Sequence, residues 1–534
     1  MSELAQRAPG HVLEQGQRLS HSMLWRLARD FYDERGIRAW THGNVPQGIT
    51  TTPHIARAYA KIALGYLRDV DAQVDPSQPV YIVELGAGSG RFAYRFAKRL
   101  ATLLERSSLR NKDFTYVMTD ASTNLIDYWQ AHPTLRPLVD AGLVDFAHFD
   151  AMQRADITLL NSRATLRAGA VANPVIVVAN YVFDSIPHDA FSIRDGELFE
   201  NLVKVTSPWP DPMFSAERPA ADLAINFEAN PAHSDYYAEA ELNRVLERYR
   251  QRLAAMMLLF PVSGMACVRH FKELSGNRAL FLVGDIGSVH ESDVGDRTTG
   301  GIGRDGNFWL EVNFHALGEY VRELGGQVFH PPHRHASLNV STFALGDSAS
   351  GFAESALAYD DAVAQGGPDD FFILTRVIAA RFGAMNRDDL LAFLRSTGWD
   401  SDYFVQCVPF ILDSLQSVSE TTRQELNRAI DEAWDVYFPI GEGNDLGDLS
   451  FSCGALLFKM EDYPRALDYF ERSLQLVGMD PKTTFNIALC LYRMGRLAES
   501  IEWIDRTLEL EPTNESAQEM RATVIVESGH EAQH

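Results

Sequence analysis

Cysteine is scarce. Four residues (Cys267, Cys407, Cys453, Cys490) lie far apart in 534, with no CxxC pair and no His–Cys cluster. That spacing argues against a zinc site and a disulfide framework, and fits a reducing, cytoplasmic compartment. Long hydrophobic runs are missing too. No window is apolar over the roughly 18 residues a membrane span needs, and the opening MSELAQRAPGHVLEQGQRLS lacks the apolar centre of a secretory signal. Positive charge is in deficit: 48 Lys and Arg stand against 72 Asp and Glu, a formal charge of −24. Such a field repels phosphate backbones and disfavours a nucleic-acid partner. What is present is ample apolar material, 46% of residues, in a chain long enough for three or four domains.

Hydrophobic periodicity divides the chain. Residues 1–75 read as a mainly helical segment, with Met23, Leu24, Leu27, Ala28 and Phe31 at helical spacing and a second such run in HIARAYAKIALGYLRDV. From 76 to 348, short β-rich runs (VYIVEL, FTYVMTD, LVDFAHF, PVIVVAN, RALFLVGDI, VSTFAL) alternate with helical stretches, which predicts an α/β sheet with helical crossovers. Residues 206–235, rich in proline and acids, read as an insertion, and 293–307 as a long Gly/Asp-rich loop. Residues 349–445 are helical throughout. From 446 to 534 a repeat appears: Ala466 and Ser500, Phe470 and Ile504, Ser473 and Thr507, Leu474 and Leu508 each lie 34 residues apart, as do Gly454 and Ala488. With Pro512 at its end, this stretch resembles the tetratricopeptide repeat, which implies an all-α C-terminal domain presenting a face to a protein or peptide partner, or to a second copy of the chain.

The stretch VELGAGSGRF (83–92) places Gly86, Gly88 and Gly90 directly after an apolar strand. A phosphate-binding loop needs Lys-Ser/Thr after its last glycine, and Arg91-Phe92 stands there instead. A dinucleotide fingerprint needs G-x-G-x-x-G with an acid about 20 residues on. Here the spacing is G-x-G-x-G, Glu84 precedes the first glycine by two, and the next strand ends in Asp120, thirty residues past Gly90. Asp150 follows a third strand and Asn180 ends a fourth.

This arrangement resembles the class I S-adenosyl-L-methionine-dependent methyltransferases, with their Rossmann-like sheet. The resemblance implies that the glycines admit the methionine part of the cofactor and that Asp120 accepts hydrogen bonds from both ribose hydroxyls, a task suited to an acceptor-only carboxylate. It also implies Asp150 near the adenine, and Glu84 beside the glycine loop.

Within that class, ANYVFDSIPHDAF is similar to a segment of MidA-type methyltransferases, the family of the mitochondrial complex I assembly methyltransferase, with Asn180, Asp184 and Pro187 matching. GITTTPHIARAYA resembles a family segment lying over the cofactor, which implies a cofactor role for Thr52, beside the matching Pro53; Asp285, Gly287, Val312 and Phe314 match further on. The family methylates a protein arginine, and a guanidinium needs carboxylates. Two family acids are replaced, by Tyr181 and Asn313, while Asp184, Asp285 and Glu311 remain.

Asn180, Tyr181 and Asp184 are the catalytic candidates. Asn180 accepts from and Tyr181 donates to or stacks on the acceptor, while Asp184 acts as base or caps a following helix. His188 is a base or a solvated loop residue, Phe308 and Trp309 line the entrance or the core, and His330, His333 and His335 sit at a hairpin crossing rather than on a metal. The expected protein is a cytoplasmic methyltransferase acting on a protein side chain, with the tail recruiting the partner or pairing with itself. A small-molecule N- or O-methyltransferase with a dimerising tail and a non-catalytic scaffold are the alternatives.

Overall fold

VYIVEL, FTYVMTD and VIVVAN carry β-branched and apolar residues at nearly every position, the composition of strands covered on both faces. In the computed structural model they become the centre of a seven-stranded sheet. Its strands are β1 (Val80–Leu85), β2 (Phe114–Asp120), β3 (Val144–His148), β4 (Val175–Asn180), β5 (Ala279–Asp285), β6 (Gln327–Phe329) and β7 (Asn339–Leu345), in the order β3-β2-β1-β4-β5-β7-β6. The first five run parallel, and β7 runs antiparallel to both β5 and β6. The structure describes residues 10–41, 48–210, 222–233, 235–253, 255–294, 302–303, 308–334, 337–415, 418–440 and 448–531. The chain divides into two units, Met1–Ile373 and Leu374–His534.

The register sets the chemistry. Glu84 of β1 stands opposite Met118 of β2 and Val178 of β4, and Gly284 of β5 stands opposite Asn180. Side chains repeat every two residues along a strand, so Glu84, Asp120 and Asn180 project from one face, toward the same end of the sheet. The strand order reverses direction between β1 and β4, the place where an open α/β sheet leaves a crevice. Helices α3 (Pro53–Asp69) and α4 (Arg91–Glu105) pack together there. Helix α3 starts at Thr52, whose hydroxyl accepts from the Ile55 N–H, with Pro53 in the first turn.

Two regions differ from the sequence expectation. The N-terminal segment contributes a strand, His11–Gln17, ahead of α1 (Met23–Arg35) and α2 (Arg38–Thr41). The insertion is larger than 206–235 and is ordered as a sheet: Asp189–Arg194, Glu197–Ser207, Ala224–Pro231 and Ala255–Phe260 form an antiparallel sheet joined by His11–Gln17. The hairpin at its start turns through Asp195 and Gly196, both with positive φ (52° and 78°), a tight-turn signal that the proline-rich stretch downstream overshadows. Residues 211–221 of the insertion lie outside the described part. The inner face of α1 (Leu24, Leu27, Phe31) packs on Ala190, Val203, Val205 and Leu259 of this sheet.

The first unit runs on past the boundary expected at 348, because the helix Ala353–Tyr359 packs on α3. Asp69 holds its first turn, accepting from the Glu354 and Ser355 N–H groups at 3.1 and 2.8 Å. In the second unit, the helices Leu449–Lys459, Tyr463–Val477, Pro481–Arg493 and Leu497–Leu510 form two successive helix–turn–helix pairs. The backbone repeats with the sequence: the turn inside each pair takes a left-handed residue, Glu461 (φ 64°) and, 34 positions on, Gly495 (φ 74°). Close packing rests on small residues, since a Cβ on Gly454 would come within 2.8 Å of the Phe470 ring.

A Cβ on Gly65 would stand 2.6 Å from the Glu354 carbonyl oxygen, backbone that cannot swing away. Gly65→Ala is therefore expected to destabilise the first unit by about 1–3 kcal/mol, against a helix-propensity gain of at most about 1 kcal/mol. Denaturant unfolding measures it.

Candidate active site

The turn after β1 is built for backbone approach. Gly86, Gly88 and Gly90 have φ of 60°, 53° and 80°, a region that side chains resist. A Cβ on Gly86 would press on Val182 at 3.0 Å and one on Gly88 on the Trp40 ring at 2.8 Å. Above the turn lies a cavity of about 690 Å³, within the ordinary range for ligand sites, about 300–1,000 Å³. Glu84, Gly86, Gly88, Asp120, Asp150, Asn180, Tyr181 and Asp184 all line it. Two of the residues expected at the cofactor do not. Thr52 is spent on capping α3, and Thr50 and Thr51 line the cavity in its place. Gly90 faces Met118 and Trp129, so its missing side chain serves packing under the turn.

Asp120 ends β2 across the glycine turn. One oxygen accepts from the Ser122 N–H at 3.0 Å, and burial pushes its carboxyl up to about 6. Asp150 pairs with Arg29 of α1 at 3.2 Å and accepts from the Met152 N–H. Glu84 is 3% exposed; its Oε2 makes no well-formed hydrogen bond, the buried Tyr116 hydroxyl lies beside the carboxyl, and burial pushes that carboxyl up to about 8.

At the other end, Tyr181 sits at φ 51°, strained for a non-glycine residue. Its N–H donates to the Gly284 carbonyl at 2.8 Å and its hydroxyl to the Ser337 carbonyl at 3.1 Å. The hydroxyl proton is thereby engaged, leaving the ring and an oxygen lone pair to meet a ligand. Asn180 Oδ1 accepts from the Tyr59 hydroxyl at 2.9 Å, which leaves one of its two lone pairs.

Asp184 caps nothing, because the chain passes through turns from Tyr181 into the strand Asp189–Arg194 with no helix between. Its Oδ1 accepts from the Ser185 hydroxyl at 2.7 Å, and burial raises the proton affinity of its carboxyl. Asp285, fully buried at the end of β5, accepts from the N–H groups of Phe183, Asp184 and Ile286. Burial and the nearby Asp184 raise its proton affinity.

His188 is neither a solvated residue nor a cavity base. It is fully buried, its Nε2 donates to the Phe183 carbonyl at 2.7 Å, and burial lowers it to about 4. Asn313 also stands away from the cavity, capping the helix Phe314–Glu323 and donating to the Leu259 carbonyl. Phe308 belongs to the core beside Trp25, whereas Trp309 lines the cavity. His330 bonds Ser341, and His335 lies outside the described residues, as does most of the loop 293–307. Among the described residues no group of three His, Cys, Asp or Glu can hold a metal, and no helix is long and apolar enough to cross a membrane.

A whole wall of the cavity was not singled out from the sequence: Trp25, Arg29, Tyr32 and Asp33 of α1, and Trp40 of α2. The spacing of 25, 29 and 32 marks a second face of α1, beside the one that packs on the inserted sheet.

Residues 62–266 match the model of the family described as "Putative S-adenosyl-L-methionine-dependent methyltransferase". No curated protein matches the chain. Among solved structures, an uncharacterized protein from Burkholderia thailandensis is 16% identical with a TM-score of 0.38, covering 62% of this chain and 89% of its own. A second from that organism, bound to S-adenosyl-homocysteine, is 16% identical at a TM-score of 0.35, covering 57% and 80%. Magnesium protoporphyrin IX methyltransferase from Synechocystis is 10% identical at 0.28, covering 60% and 99%. At such TM-scores these likenesses carry no argument for this chain. The family match, joined to the glycine turn, the acid ending β2 and the cavity above them, makes the protein a methyltransferase. Its cofactor is S-adenosyl-L-methionine.

Asp120→Ala is expected to abolish detectable S-adenosylmethionine binding in calorimetry. Glu84, raised when folded, takes up protons on folding between about pH 4.5 and 8. Its contribution is complete at low pH and lost as pH rises through about 8, so wild-type stability carries a downward slope over that interval. Asp120, Asp184 and Asp285, also raised, add to it, so Glu84→Gln makes the slope shallower, most clearly between pH 6.5 and 8, as denaturant unfolding at pH 5, 6.5 and 8 without cofactor will report.

Proposed function

We propose that the enzyme methylates a cationic side chain of a protein, with a guanidinium as the preferred acceptor. The observation that carries this reading is the acidic lining of the cavity: among the described residues Asp33, Asp120, Asp150 and Asp184 line it against Arg29, which is paired with Asp150, and Glu84, raised to about 8, adds a carboxyl that a cationic ligand would help to ionise. A positively charged acceptor is drawn to such a lining and a phosphorylated or carboxylated one is repelled. Of the two family acids that the sequence replaces, position 313 lies away from the cavity, so only Tyr181 changes its wall. This supports arginine more than the sequence alone does.

The cofactor brings an electrophilic methyl group on a sulfonium. The chain's part is to hold an acceptor nitrogen in line, exclude water and accept a proton. Trp25, Trp309 and the Tyr181 ring offer flat faces to a planar cation at the acceptor end. Asp184, whose proton affinity is raised by burial, takes the proton as the nitrogen–carbon bond forms and the sulfur–carbon bond breaks. The 34-residue helical repeat of the second unit we read as a tetratricopeptide-type array that recruits the protein substrate or pairs two copies, in a cytoplasmic setting and with a MidA-like core.

Incubation with methyl-labelled cofactor and host extract tests the proposal. The label is expected in the protein fraction, recovered as methylarginine after hydrolysis. Asp184→Asn should slow its appearance about 100-fold or more while leaving cofactor binding within a few fold. Label confined to small molecules would favour an N- or O-methyltransferase of free metabolites with a dimerising tail.

A further inference from the structure

Three buried polar atoms on residues lining the cavity lack a hydrogen-bond partner: Ser122 Oγ, beside Asp120, and two on neighbouring strands that are of opposite kinds. Glu84 Oε2 is an acceptor and Asn180 Nδ2 is a donor. A polar atom left unmet in a buried place is costly, so an acceptor and a donor side by side in one ligand cavity mark where a ligand completes the protein.

The sense of the Asn180 amide is fixed from outside the strand. Tyr59 of α3 is fully buried, and its hydroxyl hydrogen goes to Asn180 Oδ1 at 2.9 Å. With the oxygen held, the NH2 must take the other direction. Gly284 opposite makes room for this contact, since a Cβ there would sit 2.6 Å from both the Tyr59 hydroxyl and Asn180 Oδ1.

The position of the pair selects the part of the ligand. Asp150 follows β3, Asp120 ends β2, Glu84 lies at the end of β1 and Asn180 at the end of β4. With β2, β1 and β4 adjacent and about 4.8 Å apart, the ligating groups form a row across the sheet. Asp120 suits the ribose diol, so the β1–β4 end of the row meets what lies beyond the ribose. In this cofactor that is an amino acid, a zwitterion carrying one donor cluster and one acceptor cluster.

We propose that Tyr59 is a positioning residue: it turns the Asn180 amide so that Asn180 Nδ2 and Glu84 Oε2 receive the carboxylate and the ammonium of the cofactor's amino-acid end. Tyr59 itself touches no ligand. It converts Asn180 from a residue of either sense into a dedicated donor.

Two ligands separate this role from a merely structural one: S-adenosylhomocysteine, which carries the amino acid, and 5′-methylthioadenosine, which lacks it. Calorimetry on the full chain should show Tyr59→Phe weakening S-adenosylhomocysteine about tenfold, the worth of a hydrogen bond to a charged group, with methylthioadenosine unchanged within twofold. Glu84→Gln should show the same selectivity. Asn180→Asp, which turns an acceptor toward the ligand carboxylate, should lose S-adenosylhomocysteine most of all. Equal losses for both ligands would reduce Tyr59 to packing, and an unchanged S-adenosylhomocysteine affinity in Tyr59→Phe would overturn the proposal. If wild type bound neither ligand, the cofactor itself would be in question.

Discussion

The Asp285 carboxyl accepts from the backbone N–H groups of Phe183, Asp184 and Ile286, and the Tyr181–Asp184 wall of the cavity hangs from those three bonds. It ties the turn leaving β4 to the end of β5, two segments a hundred residues apart in sequence. Tyr181 can stay in a left-handed conformation because its own N–H is held by Gly284 one residue before that anchor. The position of Asp184 follows from the same clamp: its N–H is bound to Asp285, its carbonyl accepts from the Leu310 N–H, and its carboxyl is left to face the cavity.

The other side depends on the sheet register. One strand shifted by one residue would send Glu84, Asp120 or Asn180 to the opposite face. The strands are covered on both faces by apolar side chains, so the register is held strongly and the acids arrive together as a consequence of core packing. Their raised proton affinities are the cost of that placement, offset only when a ligand supplies the missing charge or hydrogen bond.

Legibility from the sequence followed the length scale of each signal. The glycine turn, the acids at strand ends and the 34-residue repeat were readable because each depends on local spacing. The inserted sheet was missed because a proline-rich stretch separates two of its strands, although Ile225, Phe227 and Ala229 alternate with polar residues and Asp195-Gly196 announced the hairpin. Thr52 was read as a ligand when it is a cap, since a Thr-Pro pair before a helix satisfies both descriptions. His188 and Tyr59 were beyond reach: one is buried and the other set against Asn180 by tertiary contacts 121 residues apart. No local pattern records such a contact.

The cavity wall formed by α1 has a temporal side. This helix precedes the glycine turn by some fifty residues, yet it rests on strands that end only at Phe260. As the chain is made from its N-terminus, α1 emerges early and has nothing to lie on until the inserted sheet closes around His11–Gln17. Pairings this distant are slow to form. The glycine turn and its flanking strands can be in place well before the cavity has the wall that α1 supplies, so competence to retain a cofactor is acquired last, as a property of the finished unit rather than of its parallel sheet.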